Sequence, residues 1–137
     1  MSLSNATEIA ALAMFLQGVD PSYRASGTQY VALFTADPGE AGSLAAEASY
    51  TGYARVPVTK ASGWTGNVNP FVNSAVISFA QCTGGTNAIT HFAVVDTGPT
   101  GGTAVNMMIS GALGSPLNIS AGIQPQFAAG ALSVSAD

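Results

Sequence analysis

Near the start of the chain, apolar side chains recur at the spacing of a helix. The side chains on this one face are Ile9, Leu12, Phe15 and Leu16. The pattern predicts a short helix over 5–17, capped by Asn5 with Glu8 three residues later, and stopped by Gly18. Two interpretations stay open: the helix covers one end of the domain's own core, or it docks onto a neighbouring protein.

Beyond Pro21, the pattern changes to short runs of β-forming residues separated by turn residues. Strands are predicted over 30–35, 53–58, 75–79, 89–95, 105–110, 117–120, 126–128 and 131–135. Pro57 cannot donate a backbone hydrogen bond, so its strand is expected at a sheet edge or at a bulge.

Many short strands with turns between them predict a mainly β domain, an antiparallel β-sandwich or a jelly-roll-like arrangement, with one short N-terminal helix. The expected organisation is an N-terminal helical segment over 1–18 and a single β-sandwich domain over 19–137. A chain of 137 residues fits one domain.

Two further features are candidates for protein contacts. Trp64 lies in a Gly- and Asn-rich stretch over 61–69, where it either folds back over the core or stands free to stack a sugar or fill a neighbour's pocket. Met107 and Met108 adjoin on a predicted strand, so one should point inward and one outward. An outward Met suits an adaptable contact surface.

Charge is scarce: 7% of the residues are Asp, Glu, Lys or Arg, against about 25% in a typical soluble domain. Interface cores are depleted of charge, so this favours a subunit packed against neighbours over a secreted β-protein with a neutral surface. The net charge is −4, and Arg24, Arg55 and Lys60 are the basic residues. Three scattered cations exclude a nucleic-acid footprint or a basic membrane-surface patch.

The residues needed for catalysis or metal binding are also scarce. One Cys, Cys82, and one His, His91, are too few for a structural zinc site. His91 and Asp96 lack any accompanying nucleophile motif, and a histidine in mid-strand is typically half-buried and hydrogen-bonded. Cys82 is expected to be a small buried hydrophobe. No catalytic residue, metal site or cofactor is predicted.

No apolar run reaches the roughly 20 residues of a membrane span, and the start of the chain lacks the basic residues of a signal peptide. The protein is therefore expected to be made in the cytoplasm and to stay there unless it leaves inside a particle.

The stretch Tyr-Val-Ala-Leu-Phe-Thr-Ala-Asp-Pro-Gly over 30–39 resembles the signature of a family of small tailed-phage structural proteins. Similar segments follow at 52–58, 73–79, 89–96, 121–123 and 127–134, so the resemblance covers nearly the whole chain. It implies a virion component without catalytic residues. The family's usual His-Phe-Gly step reads His-Phe-Ala at 91–93 here, which could alter contacts.

The first hypothesis is a capsid decoration protein that binds the outside of the phage head and stabilises capsomer contacts. Its partners would be the major capsid protein or other virion proteins, and a homo-dimer or homo-trimer is expected because closed symmetry dominates oligomers. The alternative is a tail-fibre, tail-tip or other tail-associated protein, with the loops over 36–50 and 61–70 facing a host surface. A more distant alternative is a carbohydrate-binding β-sandwich.

Overall fold

A computed structural model describes residues 2–100 and 107–135. The elements in chain order are β1 (Ser2–Leu3), α1 (Asn5–Gln17), a 3-10 turn (Ser22–Arg24), β2 (Thr28–Phe34), β3 (Val56–Thr59), β4 (Trp64–Thr65), β5 (Phe71–Asn73), β6 (Ile77–Ser78), β7 (Asn87–Val95), β8 (Met107–Ile119), β9 (Gln126–Phe127) and β10 (Ser133–Val134). The protein is mainly β with antiparallel sheets and one N-terminal helix, as predicted.

The largest sheet has five strands in the order β1-β8-β7-β2-β3. A three-stranded sheet, β10-β5-β4, and a two-stranded sheet, β6-β9, complete the fold. β3 lies at an edge and carries Pro57, as expected for a strand that lacks one donor.

The central strand β2 is buried on both of its faces. Val31 and Leu33 point to one face, where they join the main core with Ile77, Phe79 and Leu132 from the smaller sheets and their flanks. The other face carries Ala32 and Phe34, which pack with β7 residues and with Leu44 and Ala46 of the segment after β2. A run of apolar residues without alternation follows from this two-sided burial.

Helix α1 has the predicted bounds, but Ser4 rather than Asn5 caps it. The Ser4 hydroxyl accepts a hydrogen bond from the Thr7 N–H and donates one to the Met107 carbonyl, while the Ser4 N–H donates to the Met108 carbonyl at 3.2 Å. Pairing of β1 with β8 therefore keeps Ser4 extended, so that Ser4 is the cap and Asn5 is the first residue of the helix. Gly18 ends it in the left-handed conformation with φ 68°.

One long strand, β8, replaces the two predicted strands over 105–110 and 117–120; residues 105 and 106 lie outside the described part of the chain. Between the pairs His91–Ala112 and Ile89–Leu117 the register shifts, so that Gly114 and Pro116 lie in a bulge. Pro116 is tolerated because β1 pairs with β8 only at Ser110 and Ile109. The residues between the two predicted strands therefore form a bulge within one strand instead of a loop.

The stretch over 61–69, expected to be a loop, contributes β4 to the three-stranded sheet. Trp64 pairs with Asn73 and Thr65 with Val72. Asn73 is 1% exposed, and its side chain donates to the carbonyls of Ala75 and Ala128 and accepts from the Leu132 N–H, at 2.8 to 2.9 Å. One buried amide therefore fastens this sheet to the chain after β9.

Candidate functional site: an exposed helix face and a neighbouring cleft

The predicted apolar side of α1 is exposed. We call this surface the α1 face; its members and their exposed fractions are Ile9 (68%), Leu12 (59%), Phe15 (76%) and Leu16 (79%). No residue of α1 is buried, which is unusual for a helix with so few charges. An apolar patch gathered on one helix indicates a contact surface far more strongly than single exposed residues do.

The opposite side of α1 rests on the domain. Thr7, Ala11 and Met14 line a shallow depression of about 270 Å³ together with Tyr23 and Met108. Small side chains on this side let the helix lie close to β8. The domain therefore holds the helix by one side and leaves the α1 face outward, which favours docking onto a neighbour over covering the core.

Met107 and Met108 are both buried, at 2% and 7% exposure. They belong to different clusters, as strand alternation predicts, but the expectation that one of them is outward is wrong. Met107 is covered near Gly42, in the segment after β2, and Met108 packs with Val94. Sequence alternation assigned the faces, but it could not reveal that both faces are covered.

Trp64 is half-buried and packs against two hydrophobic clusters. Its indole N–H donates to the Gln29 side chain at 3.1 Å. The tryptophan thus folds back over the core, which is the first of its two interpretations. It does not stand free as an aromatic platform for a sugar.

Trp64 and Met108 both line a cleft of about 500 Å³ that lies between the five-stranded and three-stranded sheets. The lining is mostly apolar, with Leu3, Val94, Ile109 and Phe71 beside them. Of these residues, Phe71 is the most open, at 43% exposure. The cleft shares Met108 with the depression under α1, so the two surfaces are neighbours.

The ionisable residues of the interior form a structural clamp that sequence reasoning missed. Arg55 is buried, and its guanidinium donates to both oxygens of the Glu47 carboxylate at 2.7 and 2.8 Å and to the Thr97 carbonyl at 2.7 Å. The Tyr53 hydroxyl donates to Glu47 at 2.9 Å and accepts from the Leu33 N–H at 3.1 Å. The only hint in the sequence was the closeness of Glu47 and Arg55, eight residues apart.

The surroundings of the clamp shift the pKa values of Arg55 and Tyr53 upward. Hydrogen bonds to Glu47 raise the pKa of the Arg55 guanidinium, which stays charged. Burial raises the pKa of the Tyr53 hydroxyl, and the Glu47 charge adds to that rise. Nearby, burial raises the pKa of Tyr50 to about 12, with a smaller electrostatic contribution from the neighbouring Cys82. A general acid or base needs a pKa near the working pH, and these shifts lead away from it.

The two candidate nucleophile or base residues have structural surroundings. Cys82 is 1% exposed and its thiol contacts the Gly84 carbonyl at 3.2 Å, so it is the buried hydrophobe that was expected. His91 is half-buried in β7, and its Nδ1 hydrogen-bonds the Thr90 hydroxyl at 2.9 Å. Within residues 2–100 and 107–135, no group of three His, Cys, Asp or Glu side chains could hold a metal ion.

Among the residues that the structure describes, no helix is long and apolar enough to cross a bilayer. The folded domain and its site together define a small antiparallel β-protein whose most distinctive surface is apolar and faces outward.

Comparison with known proteins identifies the family of this chain. A family model described as podophage GP4 fiber I protein gp80 matches residues 2–135. The chain belongs to this family, and it is a phage virion protein. No curated protein matches the chain.

The match confirms the expectation of a phage virion protein and favours the tail or fibre alternative over the capsid decoration hypothesis. The match extends over residues 2–135, and it does not confirm the particular signature over 30–39.

Proposed function

We propose that the chain is a non-enzymatic structural component of the tail fibres of a podophage particle. The observation that carries the proposal is the match to a fibre protein family over residues 2–135, which includes both α1 and the β-domain. The fold supports it, since a rigid domain that presents one apolar helix suits assembly into a larger structure.

The chemistry of the described residues supports a structural role. The buried side chain of Arg55 is paired with the partly buried carboxylate of Glu47. The pKa values of Tyr50 and Tyr53 are shifted upward, away from neutral pH. The polar groups of the interior therefore hold segments together, as the clamp and Asn73 illustrate.

Partners in this role are other tail or fibre proteins and further copies of the chain, bound through the α1 face. Nucleic acid and membranes are not partners in the proposal, because each of the three cations is engaged within the chain: Arg55 is buried beside Glu47, Arg24 pairs with Asp20, and Lys60 donates to backbone carbonyls. A phosphate backbone needs several cations side by side.

Labelling of intact particles tests the location. An antibody raised against the purified chain, detected with gold in the electron microscope, is expected to mark the tail. Labelling that covers the head shell would replace the proposal with capsid decoration. Competition with an excess of the purified chain should remove the label, which controls for unspecific adsorption.

The non-enzymatic part of the proposal has its own test. Particles carrying His91→Gln in this chain should assemble and infect as the parent does, because His91 is half-buried within β7 and its imidazole hydrogen-bonds the adjacent Thr90. Assembly at the normal level with infection lost would indicate a chemical role for His91 and would contradict the proposal.

A further inference from the structure

The apolar residues of α1 follow the repeat of a coiled coil. Ile9, Leu12 and Leu16 are separated by three and then four residues within α1. Alternating steps of three and four place side chains in one seam, at the a and d positions of a heptad. Ile and Leu are residues typical of these positions.

The seam points away from the rest of the protein. At 3.6 residues per turn, Ile9, Leu12 and Leu16 lie nearly opposite Ala11 and Met14, the residues that contact the domain. All three seam residues are more than half exposed. A second helix can therefore approach the seam without displacing any part of the chain that the structure describes.

The flanks of the seam fit another uncharged helix. The e positions beside it are Ala6 and Ala13, whose small side chains allow close approach of two backbones. Glu8 is the one charged residue in α1, so the surface has no charge pattern that would select a partner of opposite sign. Identical copies would meet with little electrostatic repulsion along the seam.

The exposed area sets the strength of such a contact. Four large apolar side chains, each more than half exposed, offer on the order of 400 Å² per copy. A standard interface uses about 800 Å² per partner, so one helix pair would be a weak contact. Clustering around a symmetry axis, where each helix meets two others, uses more of the same surface.

We propose that the α1 face is a self-association surface, and that copies of this chain pack their α1 helices together through the seam of Ile9, Leu12 and Leu16. The modest area predicts assembly in the micromolar range for the isolated chain. Association is a property of the purified protein, so it can succeed or fail independently of where the protein lies on the particle.

Sedimentation equilibrium of the full chain from about 1 to 200 µM, a range that brackets weak interfaces, provides the test. The parent chain should pass from monomer to a defined oligomer. The double variant Leu12→Gln with Leu16→Gln should raise the dissociation constant at least about 100-fold. Ile9→Gln alone should weaken association by a smaller factor.

A matched control replaces two exposed valines outside α1. Val68→Gln with Val76→Gln alters side chains that are 71% and 57% exposed, and it should leave association unchanged. A circular dichroism spectrum identical to the parent's confirms that each variant is folded. A parent chain that stays monomeric at 200 µM overturns the proposal, and so does an oligomer that survives the α1 double variant.

Discussion

The interior of the β-domain and the helix α1 differ in which side chains are buried and which are exposed to solvent. In the interior, Arg55 and Asn73 are 2% and 1% exposed, and each polar group is matched by partners at hydrogen-bonding distance. In α1, Leu16 is 79% exposed and no residue is buried. At these particular positions a polar side chain is buried or an apolar one is exposed, the reverse of the usual arrangement, although the core as a whole is apolar.

This difference in exposure indicates which residues stabilise the fold and which are available for association. A buried polar group that loses its partner is costly, so Arg55 and Asn73 should dominate stability. An apolar side chain that is already in water loses little when it is replaced, so the α1 face should matter for association and hardly for folding.

The largest effect is expected when the clamp loses its carboxylate. Glu47→Ala leaves the guanidinium of Arg55, whose side chain is 1% exposed, without its counter-charge. Removing one partner of a buried ion pair costs about 3–5 kcal/mol. Urea denaturation of the variant should show this loss of unfolding free energy.

Removing both partners of the clamp provides the control. Glu47→Ala combined with Arg55→Met should recover a substantial part of the lost stability, since a buried pair is replaced by apolar groups. Asp20→Ala breaks the exposed pair with Arg24, in which the side chains are 63% and 61% exposed, and should cost close to nothing. Equal losses for the single and the double clamp variant would show that the charge is not the cause.

A somewhat smaller loss is expected at the buried amide. Asn73→Ala leaves the Leu132 N–H and the carbonyls of Ala75 and Ala128 without this partner. Unpaired buried groups of this kind cost about 2–3 kcal/mol in total, which urea denaturation can measure. The neighbouring Ser74→Ala, at a position that is only half-buried, should change stability by less than about 0.5 kcal/mol; a similar loss at both positions would contradict the role of the amide.

Sequence patterns predicted the local elements of this contrast well. The bounds of α1 follow from helical spacing and from Gly18, and β2 and β7 follow from dense β-forming residues between turns. The edge position of β3 followed from one missing donor at Pro57. Each of these signals depends on residues that are close together in the chain.

Features that depend on distant residues could not be predicted. The capping role of Ser4 depends on its contacts with β8, more than 100 residues away. The clamp joins Arg55 to Thr97, and Asn73 reaches Leu132. In the candidate site, spacing identified the α1 face, whereas the burial of Met107 and Met108 depends on what covers each side of β8.

A smaller effect is expected at high pH. Because the folded protein raises the pKa of Tyr50 to about 12, the unfolded chain releases this proton first, near the ordinary value of about 10. Stability from Tyr50 is therefore complete below pH 10 and falls as the pH rises from about 10 to 12. The midpoint of urea denaturation should decline over this window.

Tyr50→Phe separates this titration from general alkaline effects. The variant loses the hydrogen bond from the hydroxyl to the Ala80 carbonyl, 3.0 Å long, and should be somewhat less stable at neutral pH. Its decline above pH 10 should be shallower than that of the parent. Tyr53, whose pKa is raised as well, continues to contribute. Identical slopes for the two proteins would show that Tyr50 does not titrate as inferred.

The smallest effect on folding is expected at the surface where the effect on association should be largest. For the monomer, Leu12→Gln with Leu16→Gln should change the unfolding free energy by no more than about 0.5 kcal/mol per site, whereas Leu132→Ala, at 2% exposure, should cost about 2–5 kcal/mol. Thermal denaturation at two protein concentrations distinguishes the effect of the substitutions on association from their effect on the stability of the monomer. The parent's midpoint should rise with concentration, because the assembled form stabilises the folded state, and the α1 variant's midpoint should not. A large loss of stability in the dilute α1 variant would mean that this exposed face stabilises the fold. It would contradict the inference that the interior stabilises the fold while the α1 face serves association.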